Sequence, residues 1–274
     1  MSSSAATTFP HDDSSVFRIL CLHGKGGNGD EFLNRLLPLR TLLDESLASE
    51  KRKSDDVSNA SNMSIKWEAL TAPYQISDTD PAYAWWSMPP GVRSFNADEY
   101  IGFDESASNV MSALLPSESD SSTTTTTECN YDLILGHSQG AILVSALLST
   151  NSDLQRSNCS YILNGAAWPN PYSEPLNSLS DQTNHDHEMK KETKMLFVMG
   201  KNDTINPIES AKQVHDCYQR AGLDVSIVYH EGGHSLPSPN GIDLDSERAL
   251  KDICNFLLQA VSEKSKRVDA SNIT

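Results

Sequence analysis

The stretch from Tyr131 to Leu148 constrains this chain more than any other. Tyr131-Asp132-Leu133-Ile134-Leu135 reads as a strand and Ala141 to Leu148 as a buried helix, with only Gly136-His137-Ser138-Gln139-Gly140 between them. A strand that becomes a helix across five residues needs a very tight turn. Glycine at both flanks removes Cβ atoms that would collide with the neighbouring strand and helix, while the central serine takes a strained backbone conformation. That turn lifts the Ser138 hydroxyl off the sheet and sets it at a helix N-terminus, where the dipole favours developing negative charge. A glycine-rich helix start with a capping serine would account for the pattern more simply. It would not explain why both glycines coincide with the apolar flanks.

The remaining sequence supplies a sheet to carry such a turn. Six short apolar runs read as strands: 17–22, 65–70, 131–135, 160–163, 195–199 and 225–229. They are almost continuously hydrophobic, as strands covered on both faces must be. Helical stretches fall between them, over roughly 30–47, 98–115, 139–149, 206–221 and 244–261. In the last, Leu250, Ile253, Phe256, Leu257 and Ala260 form one apolar stripe. Alternating strand and helix implies an α/β fold, with a mostly parallel sheet of about six strands and helices on both faces. Sites in such sheets form beyond the carboxyl ends of the strands.

Five polar stretches, 1–14, 49–62, 117–128, 173–191 and 262–274, bury too little apolar surface to offset the entropy of ordering them. The expectation is one domain over 15–262 that carries three polar insertions. Residues 1–14 and 263–274 are then disordered tails. The formal charge of −16 argues against nucleic acid and anionic membranes as partners, because both are bound through clustered Lys and Arg. No run approaches the roughly 18–20 apolar residues of a membrane span, and Met1 to Thr8 has neither a basic nor an apolar leader region. A cytoplasmic protein is expected. Five scattered cysteines without a CxxC pair indicate neither a disulfide framework nor a zinc site, and Cys21, Cys159 and Cys254 read as packed thiols. His185-Asp186-His187 lies in a polar insertion without further ligands and reads as a solvated loop, so no metal is expected.

A serine hydroxyl is a poor nucleophile at neutral pH and needs an imidazole base oriented by a carboxylate. On an elbow of this kind the partners follow in the order Ser, acid, His. Asp203 stands just past the strand 195–199, in Gly200-Lys201-Asn202-Asp203, where capping the following helix is its alternative role. After the strand 225–229 two histidines compete. His230 abuts the strand, whereas His234 follows Gly232-Gly233 and has a loop's freedom to reach across; His234 is the expected base. Acyl transfer also needs backbone N–H donors aimed at the developing oxyanion, each worth about 3–4 kcal/mol of transition-state stabilisation. The Gln139 amide, directly after the serine, is one candidate. The other belongs to His23-Gly24-Lys25-Gly26-Gly27-Asn28-Gly29 after the first strand, with Lys25 preferred and Gly26 next. The same glycines suggest a phosphate loop, but a P-loop ends in Gly-Lys-Ser/Thr, and here Asp30-Glu31 follows.

Together these motifs resemble the FSH family of serine hydrolases, within the α/β-hydrolase superfamily. The resemblance rests on Leu22-His23-Gly24, Trp85-Trp86, Gly136-x-Ser138-Gln139-Gly140, Gly200-x-x-Asp203 and Gly232-Gly233-His234-x-x-Pro237, which run through nearly the whole expected domain. It implies the α/β-hydrolase fold, a catalytic set of Ser138, Asp203 and His234, and esterase or thioesterase activity on acyl substrates without a cofactor. It also makes Trp85 and Trp86 an acyl-pocket wall, although packing of an aromatic loop would explain them equally well. The sequence departs from the family in its polar insertions and at His137, where many relatives carry an aromatic such as Phe. That places a polar group beside the elbow, and His137 is expected to bind substrate. The expected reaction is hydrolysis of a small-molecule acyl ester or thioester through an acyl-enzyme on Ser138. An acyl-protein thioesterase or lysophospholipase-like enzyme is the alternative within hydrolases, and a non-catalytic ligand receptor the alternative outside them.

Overall fold

The structure is a computed structural model that describes residues 13–53, 63–115, 129–179, 193–238 and 244–271. The polar stretch 117–128, with its threonine run, lies outside the described residues, as do His185 and His187. Six parallel strands form the main sheet: β1 (Val16–Leu22), β2 (Ser64–Leu70), β5 (Leu133–His137), β6 (Ser160–Asn164), β7 (Lys194–Gly200) and β8 (Asp224–His230). Their spatial order is β2-β1-β5-β6-β7-β8. A two-residue ribbon of β3 (Tyr74–Gln75) and β4 (Tyr83–Ala84) lies apart from them. The α/β architecture expected from the alternation of strands and helices is therefore present, and it has the α/β-hydrolase form.

Side chains alternate across the sheet with period two. Phe17, Ile19 and Cys21 of β1 face one core, and Leu20 and Leu22 face the other. The first core is closed by α1 (Gly29–Arg35), α2 (Leu37–Lys53) and α8 (Leu244–Ser271), through Phe32, Leu39, Leu43, Ile253 and Leu257. The second is closed by α3 (Phe103–Leu114), α4 (Gln139–Thr150), α6 (Ser173–Ser178) and α7 (Ile208–Arg220). The short α5 (Ser152–Arg156) follows α4. Every residue of α4 from Gln139 to Ser149 is buried, which explains why its sequence is apolar all round rather than striped. Cys21, Cys159, Cys217 and Cys254 are buried free thiols. Among the described residues no helix is long and apolar enough to cross a membrane.

Three boundaries differ from the sequence expectation. The helix expected over 30–47 is two helices that break at Leu36, because Pro38 has no N–H to continue the hydrogen-bond ladder. The polar stretch beginning at 173 opens with α6, which buries Leu176 in the core. The expected tail 263–274 is helical as far as Ser271. Lys264 Nζ donates to Val16 O at 2.6 Å and to Asp132 Oδ2 at 2.8 Å, and Glu263 pairs with Lys194. These half-buried ion pairs hold the end of α8 where apolar contacts are few.

The connection from β2 returns the chain across β1 to β5, so the sheet's topological switch point lies between β1 and β5. Their carboxyl ends are adjacent, with Leu22 opposite Gly136. Replacing Lys264 by Met removes the counter-ion of Asp132 and leaves its carboxylate with the Arg18 N–H as donor, and should lower stability in urea denaturation by about 1–3 kcal/mol. The exposed Lys266→Met should change it by less than about 0.5 kcal/mol. Equal effects from the two would remove Lys264 as an anchor of α8.

Candidate active site

Ser138 stands immediately after β5 with φ 53° and ψ −118°, the one non-glycine residue with positive φ among the described residues. Such a conformation costs on the order of 1–3 kcal/mol and persists only where its surroundings impose it. Here they do so through close approach. A Cβ on Gly136 would lie 2.7 Å from Ala141 Cα, and one on Gly140 would overlap the Leu22 carbonyl. The glycines of the motif let the turn fit between β1 and α4. The Ser138 N–H donates to Asn164 O at 2.9 Å, which fixes the turn to the end of β6.

Asp203 and His234, from the loops after β7 and β8, are brought together, with Nδ1 of His234 at 2.7 Å from Asp203 Oδ2. The Asp203 side chain is only 3% exposed. Burial pushes its pKa up, but hydrogen bonds from His234 and from the Asn206 and Ile205 amides outweigh it and hold the carboxyl below its ordinary value. An ionised carboxylate accepts only, so His234 Nδ1 carries the proton and Nε2 presents its lone pair. That Nε2 is buried and has no hydrogen-bond partner among the described residues. Asp203 Oδ1 meanwhile accepts from Ile205 N at 2.8 Å and Asn206 N at 2.9 Å, so the local turn role and the His234 contact coexist on separate oxygens. His230, the competing histidine, ends β8 as a 2% exposed residue whose carbonyl accepts from Lys201 N.

Asn164, Gly165 and Asn206, absent from the sequence expectation, join these parts. Asn164 Nδ2 lies 2.7 Å from His137 Nδ1 and 3.4 Å from His234 O. Gly165 has φ 58°, and a Cβ there would come within 2.9 Å of His234 Cε1. Its carbonyl accepts from Asn206 Nδ2 at 2.7 Å. The Asn-Gly pair right after a strand was the available signal, since that dipeptide marks turns that need positive φ. The Ser138 hydroxyl and His234 Nε2 are not bonded to one another; catalytic hydrogen bonds in unliganded sites are often open and tighten on binding.

The loop after β1 is braced from several sides. His23 is 1% exposed, with Nδ1 at 2.7 Å from Gly24 O and Nε2 accepting from Ala72 N at 3.0 Å. Burial lowers its pKa, in keeping with a neutral ring. The Gly26 N–H donates to Tyr83 O at 2.8 Å, so this second-choice amide is already engaged. Among the described residues no such bond holds the Lys25 N–H. Gly24 packs directly against the elbow, where a Cβ would lie 3.0 Å from Ser138 Cβ.

Gln139 has a second function in its side chain. Its Oε1 accepts from Trp85 N at 3.0 Å and its Nε2 donates to Trp86 O at 3.1 Å, clamping the tryptophan segment to the elbow. Trp85 Nε1 donates to His23 O at 2.7 Å, and the Trp86 ring stacks on Tyr100 with centroids 4.4 Å apart. Both indoles are 0% exposed. This corrects the expectation of a pocket wall. Neither ring offers surface to a substrate; both are core residues that support the loops around Ser138.

His137 does face open space. It lines a cleft of about 90 Å³ between the β1 loop and α1, together with Lys25, Asn28, Glu31, Phe32 and Arg35. Burial first, then the neighbouring His234 and Arg35, hold its pKa down to about 3. Its ring lies 5.0 Å from that of His234.

Residues 14–243 match the model of the family described as serine hydrolase (FSH1). The chain belongs to that family. The chain is similar to an uncharacterized hydrolase of Schizosaccharomyces pombe, 25% identical over 232 residues, 81% of this chain. The FSH1-family chain spans about half the length, 48%, of that relative. Among solved structures it is similar to a single-residue variant of Arabidopsis thaliana SOBER1, with TM-score 0.55 and 20% identity over 90% of this chain and 99% of that one. It is also similar to Zea mays acyl-protein thioesterase 2, with TM-score 0.53 and 17% identity over 89% and 94%. At such identities the likeness is one of fold.

Folded His137 refuses a proton that the unfolded chain accepts below about pH 6.5. Its contribution to stability is therefore complete above that pH and is lost as the pH falls toward 3. His137→Phe should flatten the decline of unfolding free energy between about pH 6 and 4 by up to ~1.4 kcal/mol per pH unit. Parallel curves for the two proteins would place the His137 proton elsewhere.

Proposed function

We propose that this serine hydrolase cleaves carboxylic ester or thioester bonds of acyl substrates through an acyl-enzyme on Ser138. The observation that carries the reading is the state of His234. Its Nδ1–H is engaged by an ionised Asp203, which leaves the Nε2 lone pair free at the same end of the sheet as the strained serine. In the first half-reaction Ser138 Oγ attacks the carbonyl carbon as its proton passes to His234 Nε2, and Asp203 stabilises the imidazolium. The amides of Gln139 and Lys25 hold the oxyanion, and the Nε2 proton then leaves with the alcohol or thiol. In the second, water repeats the sequence and releases the acid. The scheme calls on no metal or cofactor.

Support for the ester or thioester class comes from the company the fold keeps, which includes esterase PE8 and the maize acyl-protein thioesterase. Engagement of the Gly26 amide by Tyr83 favours Lys25 over Gly26 as the second oxyanion donor. The kinetic test is hydrolysis of 4-nitrophenyl acetate. Ser138→Ala and His234→Ala should each lower kcat by at least about 10³-fold, and Asp203→Asn by a similarly large factor. His230→Gln should stay within about tenfold of wild type. A Ser138→Ala variant with near wild-type turnover would overturn the proposal, and loss on His230→Gln but not His234→Ala would reassign the base.

A further inference from the structure

The cleft beside the elbow has properties that an acyl-chain site would not have. The character of its walls, rather than its size, sets what it can receive. Apart from Phe32 its walls are polar or charged: Lys25, Asn28, Glu31, Arg35 and His137. A substrate group suited to such walls is polar and able to accept hydrogen bonds.

Two observations give the cleft a sign. The protein as a whole carries a formal charge of −16, yet the cleft gathers two cations against one anion. The anion is already shared: Glu31 sits 3.9 Å from Arg35 one helical turn away, and both side chains are more than half exposed. Lys25 has no such counter-ion among the described residues. The second observation is the proton on His137. Asn164 Nδ2 is the atom turned toward both His137 Nδ1 and the His234 carbonyl, and the carbonyl can only accept. Nδ1 of His137 therefore accepts, and the ring's proton is on Nε2. With its pKa near 3, the ring stays a neutral donor throughout the working range. The Nε2 edge is the one beside Gly24, the residue that also touches Ser138.

Resting on the hydrolase reading above, we propose that this cleft is a subsite for a carboxylate on the substrate, received by His137 Nε2–H and the Lys25 and Arg35 side chains. The preferred substrate is thus an ester or thioester with an acidic group close to the scissile bond. Asn164 is a positioning residue here, acting through the His137 tautomer. A neutral donor suits this place better than a cationic one, because a second imidazolium would oppose the charge that forms on His234 during turnover.

Matched esters test the proposal. Mono(4-nitrophenyl) succinate against 4-nitrophenyl butanoate carries the carboxylate on the acyl side, and 3-carboxyphenyl acetate against phenyl acetate carries it on the leaving-group side. In at least one pair the charged ester should be favoured in kcat/KM by about tenfold at low salt, and 0.5 M NaCl should erode the preference. Arg35→Gln should reduce that ratio severalfold and Glu31→Gln should raise it, while His137→Phe should reduce it toward unity. No charged preference in either pair, or ratios that ignore all three substitutions, would overturn the subsite and leave the hydrolase reading standing. Failure of all four esters, with no fluorophosphonate labelling of Ser138, would overturn both.

Discussion

The conformation of Ser138 is the constraint around which the rest of the molecule is arranged. A side chain at φ 53° is tolerated only because the main chain on either side can approach its neighbours without Cβ atoms. Gly140 lies against the carbonyl of Leu22, so the first turn of α4 is pressed onto the end of β1. That contact brings the β1 loop, the helix N-terminus and the serine to one point. The Gln139 side chain then extends the arrangement outward by holding the Trp85-Trp86 backbone over the elbow. The residue directly after the serine thereby also fixes the local packing of the Trp85-Trp86 segment.

The parallel sheet turns this local strain into a shared platform. Loops after β1, β5, β6, β7 and β8 all emerge at the same edge, and short polar bonds tie them in series: Ser138 to Asn164, Asn164 to His234, His234 to Asp203, and Asn206 to Gly165. Each tie satisfies a group that would otherwise cost free energy in the interior. The proton inventory that results is well separated. Asp203 is held ionised, His234 offers Nε2, and His137 and His23 are held neutral by burial.

Much of this was legible in the sequence because the signals were local. The turn at Ser138 needs particular residue types within five positions, and the apolar runs on both sides define strand and helix without tertiary information. The Asp203–His234 pairing was legible for a related reason: each follows a clear strand, and parallel strands deliver their loops to one edge. Trp85 and Trp86 show where such reasoning stops. An aromatic pair in a loop can face a cleft or a core, and only the hydrogen bonds exchanged with Gln139 and the stacking on Tyr100 decide for the core. The end of α8 was missed because its anchors, Lys264 and Glu263, are charged side chains whose partners are distant in sequence. Asn164 escaped notice because its role depends on three loops meeting, which no spacing along the chain reveals.

The central claim, that the strained serine is a nucleophile served by the His234–Asp203 pair, is tested most directly by covalent capture. Folded protein treated with a fluorophosphonate probe and mapped by peptide mass spectrometry should carry one adduct, on the peptide containing Ser138, and His234→Ala should suppress its formation. Folded protein that takes up no probe, or carries it on another residue, would contradict the account.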